Sequence, residues 1–110
     1  DARNQATRLN TKKNKKLPMA LLQRLEIIIK GRVQGVFFRY GAKELANNLG
    51  LTGCVRNESD GSVKIIAEGA QDALQKFIDW CKKGTEFTKV DRVDVEWKSA
   101  TEEFQSFDVL

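Results

Sequence analysis

The sequence predicts an α+β fold in which an antiparallel sheet carries two helices on one face. In two segments, apolar residues recur at helical spacing, and segments typical of β-strands flank them. The predicted elements follow the order strand, helix, strand, strand, helix, strand. Each amphipathic helix has to bury one apolar stripe, and a sheet that offers the same face to both helices meets that need. The length of 110 residues fits one domain.

The strands are indicated by β-branched or alternating apolar residues. They are predicted at residues 25–31, 53–58, 62–68, 93–98 and 107–109. The first is nearly continuous in apolar character, which is typical of a central strand. The fourth alternates apolar with charged residues, which is typical of a strand with one solvent-exposed face. The second and third flank Ser59-Asp60-Gly61, a hairpin turn signal.

The helices are indicated by apolar residues that recur every three or four positions. The first stripe is Phe38, Ala42, Leu45, Ala46 and Leu49, and the second is Ala70, Ala73, Leu74, Phe77, Ile78 and Cys81. Gly50 and Gly84 follow these stripes where a C-terminal cap glycine belongs. The whole order of elements is the split βαβ, or ferredoxin-like, arrangement.

The positive charge of the chain is confined to its first residues. The net charge is +4 overall, but residues 1–18 carry +5 and residues 19–110 carry −1. We interpret residues 1–18 as a disordered basic leader or an expression tag, and residues 19–110 as the domain. A natural nucleic-acid-binding arm is the alternative. A nearly neutral domain gives no electrostatic reason to expect nucleic acid, and no apolar run approaches the ~20 residues that span a bilayer.

The residue types exclude several kinds of catalytic site. The chain has no histidine and two cysteines, which rules out Ser-His and Cys-His nucleophile systems and a four-ligand zinc site. Cys54 and Cys81 are predicted to be buried as small apolar residues rather than paired in a disulfide.

The connection between the first strand and the first helix breaks two rules of helix initiation. No Ser, Thr, Asp or Asn lies between Gly31 and Arg39 to cap the helix, and Arg39 places a cation where the helix dipole is already positive. A bound anion would satisfy the free N–H groups and the guanidinium together, and Gly35 lets the backbone curl around it. The alternative is that water solvates the N–H groups and Arg39 points outward.

Asn57 is the second candidate, at the end of the second strand. Alone it could be a turn former that bonds its own backbone. In the predicted sheet, however, this strand ends near the start of the first helix, where an amide could orient a water molecule. Tyr40 either lines this site or packs, and Glu58 and Asp60 are interpreted as a solvated turn rather than an acid/base pair.

These groups suit phosphate chemistry with an easily expelled leaving group. A guanidinium, a set of N–H donors and one amide provide no strong base and no general acid. A carboxylate departs without protonation because its conjugate acid has a pKa near ~4, whereas an alkoxide needs help. If the chain is an enzyme, the residues therefore favour a mixed carboxylic–phosphoric anhydride as substrate and water as acceptor.

The same residues resemble the signatures of the acylphosphatase family. Residues 31–39 match the pattern G-x-V-Q-G-V-x-F-R at every fixed position, and residues 53–57 are similar to the second signature. Cys54 departs from it, standing where the family often has an aromatic residue. The resemblance covers about residues 23–110 and implies a metal-independent hydrolase of acyl phosphates, with no cofactor.

The resemblance also implies roles for individual residues. Arg39 binds the phosphate, Asn57 orients the attacking water, and a cradle is formed by the backbone N–H groups of Gln34, Gly35, Val36, Phe37, Phe38 and Arg39. The expected partners are a small acyl phosphate as substrate and inorganic phosphate as product and inhibitor. We expect a cytoplasmic monomer that binds neither nucleic acid nor membrane.

A fragment of a larger carbamoyl-transferring protein is also conceivable, although nothing here resembles the zinc or nucleotide modules that it would need. Two other functions remain open for the domain itself. One is a noncatalytic phosphate- or anion-binding module with the same ferredoxin-like fold. The other is an RNA-binding module, which would stack bases on aromatic residues of its central strands. The third predicted strand offers no aromatic residue for that purpose.

Overall fold

The computed structural model describes Pro18 and residues 21–110, so the predicted leader lies outside the described residues except for Pro18. The strands are β1 (Leu22–Arg32), β2 (Thr52–Asn57), β3 (Val63–Ala70), β4 (Lys89–Ser99) and β5 (Phe107–Val109). The helices are α1 (Phe38–Asn48) and α2 (Gln71–Lys83). The predicted order of elements is confirmed. Within the described part of the chain, neither helix has the length and apolar character to cross a membrane.

The five strands form one sheet in the order β4-β1-β3-β2-β5. β1 is antiparallel to both β3 and β4, β2 is antiparallel to β3, and β5 is parallel to β2. The predicted ferredoxin-like fold is therefore present, with a sheet that is mixed rather than wholly antiparallel. The parallel pair arises because residues 100–106 cross the end of the sheet before β5 begins, so that β5 runs in the direction of β2.

Both helices pack on one face of this sheet and share a single core with it. The inward positions of β1 are fully buried, at Leu25, Ile27 and Ile29, and they belong to the same apolar cluster as the buried faces of α1 and α2. The Trp80 ring of α2 lies 4.9 Å from the ring of Phe38 at the start of α1. This contact joins the two helices.

The topology gathers four connections at one end of the sheet. They are the loop after β1, the hairpin after β2, the turn after α2, and the residue that follows β5. The opposite end is closed by residues 100–106, where the buried Glu68 accepts hydrogen bonds from the Thr101 and Glu102 N–H groups and pairs with Arg24 at 3.0 Å. The site residues that the sequence predicts, residues 34–39 and Asn57, all lie at the first of these two ends.

Candidate active site

The loop from Val33 to Phe37 turns its backbone inward at two positions. Gly35 has φ +73°, as the sequence predicts for a residue without a side chain. Phe37, the residue that precedes the first turn of α1, also lies in the left-handed region, with φ 64° and ψ 16°. That conformation costs an L-residue about 1–2 kcal/mol. Such alternation directs successive N–H groups toward one point, as in an anion-binding nest.

The N–H groups at the junction of this loop and α1 have no partner among the described residues. No side chain in the described part of the chain caps the helix, and its first turn contains no acidic residue. The amides from Gln34 to Arg39 make no hydrogen bond with any described residue. The prediction of an uncapped helix start is confirmed, and the partial positive charge of these amides is concentrated at one place.

Arg39 stands beside these amides and is held by the main chain. Its Nη1 atom donates a 2.7 Å hydrogen bond to the main-chain oxygen of Leu110, the residue after β5. The side chain also lines a cavity of about 160 Å³ together with Val33, Gly35, Phe37, Phe38 and Tyr40. Arg39 and the loop therefore border the same space, and the exposed Tyr40 contributes to it rather than to the core.

Two side-chain contacts that sequence reasoning missed fix this loop in place. Gln34 Nε2 donates to the main-chain oxygens of Glu58, at 2.7 Å, and of Ser62, at 2.8 Å, which attaches the loop to the β2–β3 hairpin. Thr85 Oγ1 donates a weaker bond, at 3.5 Å, to the Val36 oxygen, which links the loop to the turn after α2. No local pattern reveals either contact, because the partners lie far apart in sequence.

Asn57 lies at the same end of the sheet but outside the cavity of Arg39. It is the last residue of β2, its side chain is exposed, and that side chain makes no hydrogen bond with any described residue. The Gln34 bond to the main chain of Glu58 connects the residue after Asn57 to the cradle loop. The amide of Asn57 is thus available to a water molecule or a ligand near the loop.

Asp60, rather than Asn57, is the residue whose side chain forms the turn of the β2–β3 hairpin. Its Oδ1 atom accepts hydrogen bonds from Ser62 N, at 2.9 Å, and Ser62 Oγ, at 2.6 Å, and these bonds lower the pKa of the Asp60 carboxyl. Glu58 pairs with Arg56 at 2.7 Å. The interpretation of Glu58 and Asp60 as a solvated turn is confirmed, since each carboxylate is engaged within the hairpin.

The cysteines do not provide a nucleophile. Both Cys54 and Cys81 are buried and unpaired, as predicted, and burial raises the pKa of each thiol. A thiol held in its neutral form is a poor nucleophile. In residues 21–110 no three His, Cys, Asp or Glu side chains are grouped so that they could hold a metal ion.

Comparison with known proteins decides the family. The acylphosphatase family model matches residues 25–109. The chain belongs to the acylphosphatase family. The resemblance seen in the loop after β1 and at the end of β2 is thereby confirmed over nearly the whole described chain.

Individual members of the family are similar over almost their full length. The acylphosphatase of Pyrobaculum islandicum is 47% identical over 88 residues, which is 79% of this chain and 93% of that protein. The crystal structure of the Bacillus subtilis acylphosphatase superposes with a TM-score of 0.77 at 40% identity, covering 80% of this chain and 98% of the other. For the Coxiella burnetii acylphosphatase the TM-score is 0.80 at 30% identity, with coverages of 87% and 100%.

Proposed function

We propose that the chain hydrolyses the carboxyl–phosphate bond of acyl phosphates, by direct attack of water on phosphorus, to give a carboxylate and inorganic phosphate. Membership of the acylphosphatase family supports the reaction. The observation that carries the assignment of the site is the uncapped start of α1, where amides that make no hydrogen bond with a described residue lie next to a cavity lined by Arg39.

The phosphoryl group binds to the amides from Gln34 to Arg39 and to the Arg39 side chain. Three phosphoryl oxygens carry the charge that develops in phosphoryl transfer, and fixed donors aimed at them stabilise the transition state. The main-chain oxygen of Leu110 holds the Arg39 guanidinium before substrate arrives, which reduces the reorganisation required on binding. Gln34 acts in the same way on the loop, through its two bonds to the hairpin.

The leaving group explains why no acid is required. A carboxylate is expelled as an anion at neutral pH, because its conjugate acid has a pKa near ~4. Arg39 and Tyr40 line the cavity, and expulsion of a carboxylate requires neither of them to donate a proton. The proposed reaction therefore proceeds by positioning and charge stabilisation, without a metal ion or cofactor.

Asn57 orients the attacking water. Its amide carries both a donor and an acceptor and can hold a water molecule without altering the charge of the site. The unengaged side chain at the end of β2, next to the hairpin that Gln34 contacts, supports this role.

The resemblance to the family also leads us to propose the conditions under which the enzyme works. Inorganic phosphate is the product and competes with substrate for the cradle. The enzyme works as a cytoplasmic monomer on a small-molecule acyl phosphate, and it uses neither nucleic acid nor a membrane.

Hydrolysis of a small substrate panel tests the proposal. Acetyl phosphate and benzoyl phosphate should be hydrolysed rapidly, p-nitrophenyl phosphate slowly, and a chelator should leave all the rates unchanged. A monoester rate equal to the anhydride rate, or loss of activity with chelator, would contradict the proposed chemistry. Phosphate binding without turnover would instead identify a noncatalytic anion-binding module.

A further inference from the structure

An aromatic groove lies open on the surface next to the cradle. Three of its lining residues are large and exposed: Phe37 by 72%, Tyr40 by 62% and Phe87 by 58% of their surfaces. The groove has a volume of about 530 Å³, and its other lining residues are Gly41, Glu44, Thr85 and Glu86. Clustered exposed aromatic side chains are unfavourable in water and commonly mark a binding surface.

Two segments of the chain form the walls of this groove. One wall is α1, where positions 37, 40, 41 and 44 lie on one face of the helix because of their spacing. The other wall is the turn of residues 84–88, which begins with a hydrogen bond from Gly84 N to the Trp80 oxygen at 2.6 Å. Thr88 Oγ1 donates to the Thr85 oxygen at 2.8 Å and stabilises the same turn.

The groove is continuous with the phosphate site. Phe37 and Tyr40 line both the groove and the cavity of Arg39. The bond from Thr85 Oγ1 to the Val36 oxygen ties the far wall of the groove to the cradle loop. An acyl phosphate bound at the cradle has its acyl group covalently attached to the bound phosphoryl group, so the acyl group must occupy space that adjoins the cavity.

We infer that this groove is the acyl subsite, and that it selects uncharged aromatic or aliphatic acyl groups over acyl groups that carry a negative charge. The inference rests on the proposed function. Phe37, Tyr40 and Phe87 supply apolar contact area for the acyl group. The fixed charges of the lining are the carboxylates of Glu44 and Glu86, which repel an anionic acyl group and leave a neutral one unaffected.

Removal of one wall tests the apolar part of the inference. Phe87→Ala should lower kcat/KM for benzoyl phosphate about tenfold and lower it much less for acetyl phosphate, because the acetyl group has far less apolar surface to bury against the ring. Trp97→Ala is the matched control, since Trp97 is an exposed aromatic on β4 that pairs with Leu25, and neither substrate should respond to it. Equal losses for both substrates, or no loss for benzoyl phosphate, would overturn the assignment.

Neutralising the carboxylates tests the charge selection. Wild-type protein should hydrolyse succinyl phosphate less efficiently than benzoyl phosphate, and the double variant Glu44→Gln/Glu86→Gln should raise kcat/KM for succinyl phosphate about threefold at low salt. The gain should shrink at high ionic strength because both carboxylates are exposed. Glu96→Gln, on exposed β4, should give no gain. An unchanged succinyl phosphate rate in the double variant would overturn the charge selection.

Binding of stable analogues separates this inference from the proposed function. Phenacylphosphonate and acetonylphosphonate replace the labile oxygen by carbon, and their dissociation constants can be measured by calorimetry without turnover. Wild-type protein should bind the phenacyl compound more tightly, and Phe87→Ala should remove the difference. Equal affinities in the wild type would overturn the acyl subsite. Tighter phenacyl binding in a protein that hydrolyses neither anhydride would overturn the proposed function alone.

Discussion

The two helices begin in opposite electrostatic surroundings, although each follows a strand of the same sheet. α2 starts directly after β3, with the preceding Ala70 in an extended conformation at φ −70° and ψ 148°. Asp72 lies in its first turn and accepts a 2.8 Å hydrogen bond from Ala73 N. α1 instead follows a loop that ends in the left-handed Phe37, and its first turn contains the cation Arg39 and no acid.

The difference shows that α2, unlike α1, has charged side chains of its own that complement its helix dipole. In neither case does a side chain among the described residues cap the N-terminus. α2 nevertheless complements its own dipole, with Asp72 at the start and with Lys82 and Lys83 in its last turn. α1 has neither feature, and the proposed anion would complement both its free N–H groups and Arg39. Local rules of helix initiation are broken at the proposed anion site and obeyed at the start of α2.

Arg39→Gln gives the largest expected effect. It removes a charged donor from the developing phosphoryl charge, and kcat/KM for acetyl phosphate should fall by at least about 10²-fold. Inorganic phosphate should raise the melting temperature of the wild type but not of the variant. Arg92→Gln is the control, because Arg92 is an exposed arginine paired with Asp94 on β4. Near-normal hydrolysis by the Arg39 variant, with native circular dichroism, would contradict the role given to Arg39.

Asn57→Ala should have the next largest effect and should act on kcat alone. A poorly oriented water lowers kcat by about tenfold to hundredfold, while the phosphate cradle remains intact. Steady-state rates and the inhibition constant of inorganic phosphate measure the two quantities separately. Loss of phosphate binding with kcat retained would mean that the roles of Asn57 and the cradle are reversed.

Gln34→Ala should have a smaller effect that combines stability and binding. It leaves two carbonyl oxygens of the hairpin without this donor, which costs about 1–2 kcal/mol in the free energy of unfolding. Phosphate should also bind a few-fold more weakly, because the loop loses its attachment. Gln75→Ala, which breaks only an exposed bond to Asp79 on α2, should stay within about 0.5 kcal/mol in urea unfolding. Equal costs for the two variants would contradict the anchoring role of Gln34.

Much of the fold is predictable because it depends on local spacing. The period of the apolar stripes indicates both helices, and Gly50 and Gly84 end them as expected, with positive φ at each glycine. β1 begins three residues earlier than predicted, since Leu22 to Arg24 pair with β3, a contact with a distant segment. β4 extends to Lys89 for a similar reason, because a register shift after Lys30 lets Gly31 and Arg32 continue the pairing.

The candidate site is predictable in its chemistry but not in its geometry. The missing cap and the position of Arg39 are visible in the sequence. The left-handed Phe37 is not, because a bulky residue is disfavoured in that conformation and carries no signal for it. The contacts of Gln34 and Arg39 join residues 24 to 71 positions apart, so only the folded sheet brings them together.

The smallest expected effect on hydrolysis arises at the opposite end of the sheet, where the buried Glu68 forms an ion pair with Arg24. Burial alone would raise the pKa of Glu68, but hydrogen bonds from Thr101, Arg24 and Glu102 outweigh it and lower that pKa. Ionised Glu68 therefore stabilises the fold above the ordinary carboxyl pKa of about 4.3, and this stability is lost as the pH falls through the lower folded-state value.

Glu68→Gln isolates this contribution. The variant should be less stable than wild type at pH 7, and its urea midpoint should fall less steeply between about pH 5 and pH 2. Glu96→Gln, at an exposed position on β4, should show the same fall in urea midpoint between about pH 5 and pH 2 as the wild type. If the urea midpoints of wild type and Glu68→Gln fell equally steeply with decreasing pH, the contacts of Glu68 would not contribute to stability at low pH.

Amide chemical shifts during a phosphate titration distinguish the two helix starts most directly. In ¹⁵N-labelled protein, inorganic phosphate should shift the signals of residues 34–39 in a saturable manner, with a dissociation constant equal to its inhibition constant. The signals of residues 71–73, at the start of α2, should stay in place. Comparable shifts at both helix starts, or none at residues 34–39 at phosphate concentrations that inhibit hydrolysis, would contradict the anion site at the start of α1.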